Sequence, residues 1–327
     1  MTALRRLGAT SLNVVGLLLA VVVLNFLLIQ AAPGDPAQVI AGEMGGASPE
    51  IMAEIRTRYG LDRSVPEQLA TYVRRVARGD LGYSFYFNEP VSRLILGRLP
   101  ATAILVLTSL GFAVLVGAGL GILSARKPHG LLSHAVSFVA IAGNAAPVFW
   151  TGLMLLVLFA SVWPVLPVAG MSDVANPATG LAALLDIGRH LVLPALTLGI
   201  VYVAQYSRLM RTSMIDTLQA DYIRTARAKG LPERVVVAKH ALRNALIPLV
   251  TMVGLQFGQL FAGAILVETV FAWPGLGRLT FESILRRDYP TLLGILFCSA
   301  LLVIAANLVT DLIYRLIDPR IRAGRAA

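Results

Sequence analysis

The chain has 327 residues, of which 57% are hydrophobic and 14% charged, whereas soluble domains carry about 25% charged residues; the composition excludes a soluble globular protein. A net charge of +10 with no soluble basic domain to carry it excludes a nucleic-acid binder and leaves membrane topology as the explanation. The single cysteine, Cys298, excludes an intramolecular disulfide, and the four scattered histidines (His129, His134, His190 and His240) show no metal-ligand spacing.

The first apolar run, Leu7 to Gly34, follows Arg5 and Arg6. It is too long for the ~7–15-residue core of a signal peptide and reaches the ~20 residues a bilayer requires. Residues 1–34 are therefore predicted to be an N-terminal region with the first transmembrane helix, ended by the turn Pro33 to Pro36. Residues 35–98 are polar and predicted to form an external scoop or cap. Within them Glu50 to Arg58 and Glu67 to Arg78 pattern as amphipathic helices, and Gly79 to Phe85 (GDLGYSF) as a turn with aromatics.

Five more apolar runs follow. Ala101 to Ala125 is the second span, with Gly117 and Gly121 spaced for close helix contact. Ala135 to Trp163 is the third, with Pro147 expected to kink it. Val165 to Arg189 reads as a loop containing Pro and Gly. Leu191 to Met210, Asn244 to Val267 and Tyr289 to Thr310 are the fourth, fifth and sixth spans. The expected fold is all-α integral membrane with six transmembrane helices.

Between the fourth and fifth spans lies Asp221 to Pro248, DYIRTARAKGLPERVVVAKHALRNALIP. Asp221 is a candidate N-cap for a helix running to Lys229, Gly230 suits the αL position that closes it, and Pro232 stops its continuation. A second helical run then climbs through Val235 and His240 into the fifth span. Ile223, Ala226 and Gly230, at i, i+3 and i+7, form a small-residue face. Spacing alone leaves two readings open: a docking surface for a partner, or a solvated basic loop that only satisfies the topology rule.

Charge supports the six-span reading. With the N-terminus inside, the cytoplasmic segments carry 16 basic and five acidic residues, and the external ones 12 basic and 13 acidic. That is the positive-inside bias, and it places residues 216–243 on the cytosolic side. Polar residues inside spans are costly in lipid and become candidates for a pathway. These include Asn25, Asn144, Gln205, Gln256, Gln259 and Asn307, each of which also serves as an interhelical hydrogen-bonding group. Gln256 and Gln259, three apart on the fifth helix, are the best pair. Trp273, with Pro274 and Gly275, suggests an external turn or gate, and Asp311 is placed to pair with Arg315.

RTARAKGLP (Arg224 to Pro232) followed by HALRNALIP (His240 to Pro248) resembles the cytoplasmic loop of ABC importer permease subunits. The resemblance is to the dipeptide/oligopeptide/nickel branch and its "B" type subunit. RLPAT (Arg98 to Thr102), NAAPVFW (Asn144 to Trp150), LPALTLG (Leu193 to Gly199), ETVFAWPGLGRL (Glu268 to Leu279), RDYP (Arg287 to Pro290) and DLIYRLIDPRIR (Asp311 to Arg322) agree with it. Where the general importer pattern begins Glu-Ala-Ala, this chain has Arg224, Thr225 and Ala226, a variant typical of the peptide branch.

The resemblance implies a type I ABC importer permease fold, with residues 99–315 as the permease domain (helices 2–6), residues 216–243 as its coupling loop, and residues 316–327 as a cytoplasmic tail. It implies a second homologous permease subunit, two cytosolic ABC ATPases that bind ATP and Mg²⁺, and an external peptide-binding protein, with this chain in a plasma (inner) membrane and both its termini cytoplasmic. No cofactor, metal ligand or catalytic residue is expected in this chain, in keeping with its lack of a P-loop (G-x-x-x-x-G-K-[ST]). The residues implied to couple to an ATPase are Tyr222, Ile223, Arg224, Thr225, Ala226, Arg227, Ala228, Lys229, Gly230 and Leu231. Ile223, Ala226, Ala228, Gly230 and Leu231 are expected as the packing face. Candidate pathway residues are Asn144, Gln205, Gln256 and Gln259. Rival readings are a nickel or other small-solute permease of the same branch, a stand-alone secondary carrier, and an intramembrane enzyme. A carrier would need an ionisable residue deep in a span, and an enzyme paired carboxylates or a Ser and His there; the sequence offers neither constellation.

Overall fold

The computed structural model describes residues 2–31, 48, 52–53, 56–57, 62–128 and 130–317, with side chains from 12 onward except 29, 132, 139–142, 144–145, 257, 311 and 313–317. The expected helix over 50–58, the Asp311–Arg315 pair and the C-terminal tail fall wholly or mostly outside these residues. Among the described residues, four helices are long and apolar enough to cross a membrane, Val91–Arg126, Leu181–Leu218, Glu233–Gln256 and Tyr289–Thr310, and three shorter ones are apolar, Leu12–Leu28, Val148–Val162 and Gly258–Val270. Residues divide into two compact units, Met1–Pro100 with Leu279–Ile304, and Ala101–Arg278 with Ala305–Ala327.

In the first unit, helix α1 (Thr2–Ala31) packs against α2 (Val65–Ala77). Glu67 accepts the Ser64 backbone N–H at 3.2 Å, satisfying a donor outside the first turn of α2. Phe26 and Tyr72 bring their rings to 6.1 Å. Burial pushes the Tyr72 hydroxyl above its usual pKa, partly offset by its hydrogen bond to Asn25. Asn25, singled out as a pathway candidate, is buried and donates to the Leu293 carbonyl at 3.3 Å.

The aromatic turn after α2 folds into a hairpin of β1 (Tyr83–Ser84) and β2 (Glu89–Pro90), paired antiparallel with Ser84 opposite Glu89. Asn88 occupies a positive φ of 53° at its turn, a conformation Asn tolerates. Helix α3 (Val91–Arg126) starts directly after it, earlier than the hydropathy pattern indicates, because Val91, Leu94 and Ile95 bury themselves before the uncharged run begins.

In the second unit, Gly117 and Gly121 of α3 meet α6 (Leu181–Leu218) as their spacing suggested. A Cβ on Gly117 would stand 2.8 Å from the Tyr206 Cβ, and one on Gly121 2.6 Å from the Met210 Cβ, so only glycine permits this approach. The third span is interrupted at Pro147, between α4 (Leu131–Ala145) and α5 (Val148–Leu156), and continues as a π-helical turn over Val157–Val162.

Helix α6 corrects the loop expected over 165–189. It begins at Leu181, because Gly180 takes a φ of 60° and Leu181, Ala182, Ala183, Leu184 and Leu185 are strong helix formers. At 38 residues it is longer than the ~20 a bilayer requires. It packs against α4, α5 and α8 (Leu242–Val270), and Leu193, Leu198, Tyr206, Met210, Leu249 and Leu260 form the core there. Two further helices are α9 (Leu276–Arg286) and α10 (Tyr289–Ile317).

Candidate functional site

The stretch between α6 and α8 folds as a separate short helix, α7 (Asp221–Ala228). Its N-cap is Ala220, in extended backbone, and Asp221 is the first helical residue rather than the cap. The exposed Asp221 carboxylate instead lies 3.4 Å from the Arg224 guanidinium one turn on, a position in which a negative charge also suits the helix dipole. Lys229 ends the helix, and Gly230 reverses the chain at φ +75°, donating its N–H to the Arg227 carbonyl at 2.9 Å.

Beyond Pro232, Glu233–Val235 makes one helical turn and Val236–Ala241 a π-helical turn that runs into α8. Arg227 reaches across the reversal and binds Glu233 with two hydrogen bonds, Nη2 to Oε1 at 2.8 Å and Nε to Oε2 at 3.2 Å. Those bonds hold the Glu233 carboxyl below the usual carboxylate range and raise the Arg227 guanidinium further.

Two residues of the expected packing face, Ile223 and Ala226, turn inward, and Ala228, Gly230 and Leu231 are exposed. Ile223 is fully buried and Ala226 is 5% exposed, and both belong to this chain's own core, which includes Val236, Val237 and Ala241 of the π-helical turn that α7 packs against. Both side chains are covered by this chain's own core. The face left outward carries Tyr222, Arg224, Thr225, Arg227, Ala228, Lys229, Gly230 and Leu231. Apolar spacing marked which residues share a stripe, but not which side of the helix the chain would claim for itself. The Tyr222 hydroxyl also accepts a hydrogen bond from the Asn244 amide at 2.8 Å, tying α7 to the base of α8. Sequence reasoning missed this contact; the tyrosine and the asparagine are 22 residues apart, and no periodicity links them.

The pathway candidates are dispersed. Gln256 of α8 is buried and donates its amide to Gln205 of α6. Gln259, expected to share its face, is exposed. Asn307 is exposed, and the side chain of Asn144 lies outside the described residues. Trp273, expected at an external gate, is fully buried and donates its indole N–H to the Ala101 carbonyl at 2.8 Å.

Long apolar helices with a short amphipathic helix set between two of them define an all-α membrane protein. The family model for the binding-protein-dependent transport system inner membrane component matches residues 117–323, and that for its N-terminal region matches residues 3–106. The dipeptide transport system permease protein DppB of Escherichia coli is 40% identical over 336 residues, covering 98% of each chain. The di/tripeptide transport system permease protein DppB of Pseudomonas aeruginosa is 42% identical over 319 residues, covering 93% of this chain and 95% of that one. In fold, the chain is similar to the MetNI methionine ABC transporter in inward-facing conformations, with a TM-score of 0.55 at 17% identity, over 69% of this chain and 96% of that one.

The chain belongs to the family of binding-protein-dependent transport system inner membrane components. It is a permease subunit of an ABC importer, a non-catalytic transport component of a class that works with ATPase and substrate-binding proteins.

Proposed function

We propose that this chain is one of two homologous permease subunits of an ATP-driven importer of short peptides. The observation that carries the cargo is the naming of its relatives: chains 40–42% identical over nearly their whole length are dipeptide and di/tripeptide permeases. Two cytosolic ATPases drive the assembly, and an external binding protein delivers the peptide. The termini and the 216–243 loop face the cytosol, in agreement with the surplus of basic residues in those segments.

The outward face of α7 seats on an ATPase. Tyr222, Ala228, Gly230 and Leu231 supply its packing surface, and Arg224, Arg227 and Lys229 its charge. Closure of the ATPases on ATP moves α7 and turns the pathway outward, and hydrolysis resets it. Asn144, Gln205, Gln256 and Gln259 remain the pathway candidates.

Uptake competition in membranes carrying the full assembly tests the cargo. Labelled dipeptide uptake should be suppressed by unlabelled di- to pentapeptides and unaffected by Ni²⁺. ATP-dependent Ni²⁺ accumulation that peptides do not compete would overturn the peptide reading.

A further inference from the structure

Asn244 stands four residues before Pro248 inside α8, and Pro248 has no N–H to donate to the Asn244 carbonyl. Immediately before α8 the backbone runs through the π-helical turn Val236–Ala241. Residues 242–247 are therefore a short length of helix with an irregularity at each end. Prolines and π-helical turns are where helix axes bend, and the segment between two of them is the part of α8 freest to swing.

The attachments of α7 to its surroundings differ in kind. Ile223 and Ala226 press on the π-helical turn through apolar contact, which favours proximity but fixes no register, because hydrophobic burial is non-directional. The Arg227–Glu233 pair closes the loop upon itself and does not reach α8. The Asn244 amide donating to the Tyr222 hydroxyl at 2.8 Å does reach it, and it lands on the segment bounded by the two irregularities. A hydrogen bond is directional, so a sideways or axial displacement of α7 is carried into residues 242–247 instead of being absorbed by slippage.

We propose that the Tyr222–Asn244 hydrogen bond is the link through which displacement of α7 swings the base of α8 about Pro248, with Asn244 a positioning residue for coupling. The inference rests on the reading of α7 as the ATPase contact. Ile223 and Ala226 keep α7 seated, and the polar link sets how far α8 follows it.

The test uses the complete transporter, purified with its permease and ATPase partners in nanodiscs. Spin labels are placed at Leu123→Cys on α3 and Leu255→Cys on α8, both exposed positions, in a Cys298→Ser background. The readout is the ratio of complexes whose label separation shifts on ATP to those in which it does not. A neutral hydrogen bond is worth enough to change that ratio about two- to tenfold. Asn244→Ala and Tyr222→Phe should each lower it by that factor, and the double variant should fall no further. Asn244→Asp should restore it, since the Tyr222 hydroxyl can donate a hydrogen bond to the carboxylate.

An unchanged ratio in either single variant, or losses that add in the double, would overturn the proposal. Loss of ATPase co-purification in Asn244→Ala, a residue outside the docking face of α7, would also overturn it, by making the pair an assembly contact. Co-purification of the ATPase with a Gly230→Val variant is measured separately, so a failure of the α7 reading is recognised independently of whether the link transmits motion.

Discussion

The Glu268 carboxylate accepts a hydrogen bond from the Thr102 hydroxyl at 2.7 Å, across 166 residues of sequence, and Glu268 is fully buried. The same hydroxyl accepts the Leu276 N–H at 2.7 Å, and the other carboxylate oxygen accepts the Arg278 N–H at 3.0 Å. Thr102 thus ties the start of the second span to the turn 271–278, where Ala272 takes a φ of 49° and Gly277 lies so close to α8 that a Cβ would meet the Ile265 Cα at 2.5 Å. The turn expected as an external gate is held by hydrogen bonds to Ala101 and Thr102. Thr102→Val keeps the shape but removes one hydrogen bond from the buried Glu268 carboxylate and one from the Leu276 N–H, a cost of about 1–3 kcal/mol. The expected outcome is a lower unfolding temperature in detergent for Thr102→Val and near-native behaviour for Thr102→Ser, read by intrinsic fluorescence.

Gly230 separates backbone strain from crowding. Its φ is +75°, yet a Cβ there would meet nothing within 4 Å. Substitution therefore costs only the left-handed conformation, roughly 1–2 kcal/mol for a residue with a Cβ, least for Asn and most for a β-branched side chain. Co-purification of the ATPase and peptide uptake should decline in the order Asn, Ala, Val at position 230. Equal losses for all three would point to a steric clash with the partner instead of a misdirected α7.

Much of the fold was legible because lipid is an unforgiving solvent. Spans must be apolar along their length, so α3, α6, α8 and α10 appear in the hydropathy pattern, and a proline such as Pro147 reports where one breaks. Gly230 was equally readable, since a glycine followed closely by proline after a helical run has few other uses. Side-chain facing was not readable. Ile223 and Ala226 suit a partner's groove and this chain's own π-helical turn equally well, and only the path of residues 233–241 decides between them. The same holds for Trp273, whose aromatic bulk fits an exposed gate until the Ala101 carbonyl claims its N–H. Gln256 lies one helical turn from Gln259, but the former is captured by Gln205.

The Arg227–Glu233 pair gives the α7 loop a pH dependence whose sign follows from the depressed Glu233 carboxyl. A carboxyl with a lowered folded-state pKa contributes stability that is fully present above the unfolded value and lost as pH falls through the folded one. Both side chains are largely exposed, 43% and 60%, so solvent screens the pair, and exposed pairs contribute at most about 1 kcal/mol. Amide hydrogen exchange over residues 227–233, corrected for intrinsic rates, should be flat at neutral pH and accelerate below the ordinary glutamate range. Glu233→Gln should exchange at the faster rate at every pH, and high salt should narrow the difference.

Asp288 performs two tasks with one buried carboxylate. Its Oδ2 accepts the Ser84 hydroxyl at 2.5 Å and the Thr291 hydroxyl at 2.6 Å, and its Oδ1 accepts the Thr291 N–H at 3.3 Å. The Thr291 contacts cap α10, whereas the Ser84 contact anchors the aromatic hairpin, because Ser84 Oγ in turn accepts the Phe87 N–H at 3.1 Å. The guanidinium of Arg286 stacks 4.9 Å from the centroid of Tyr86 and holds the hairpin tip from the side. Ser84→Ala removes the anchor and leaves the cap intact, and Asp288→Ala removes both. Loss of a cap costs about 0.5–2 kcal/mol on its own. Hydrogen exchange should therefore accelerate over residues 83–90 in both variants, but over the first turn of α10 only in Asp288→Ala. Acceleration of that turn in Ser84→Ala would show that the hairpin and the cap are one cooperative element and not two devices sharing an oxygen.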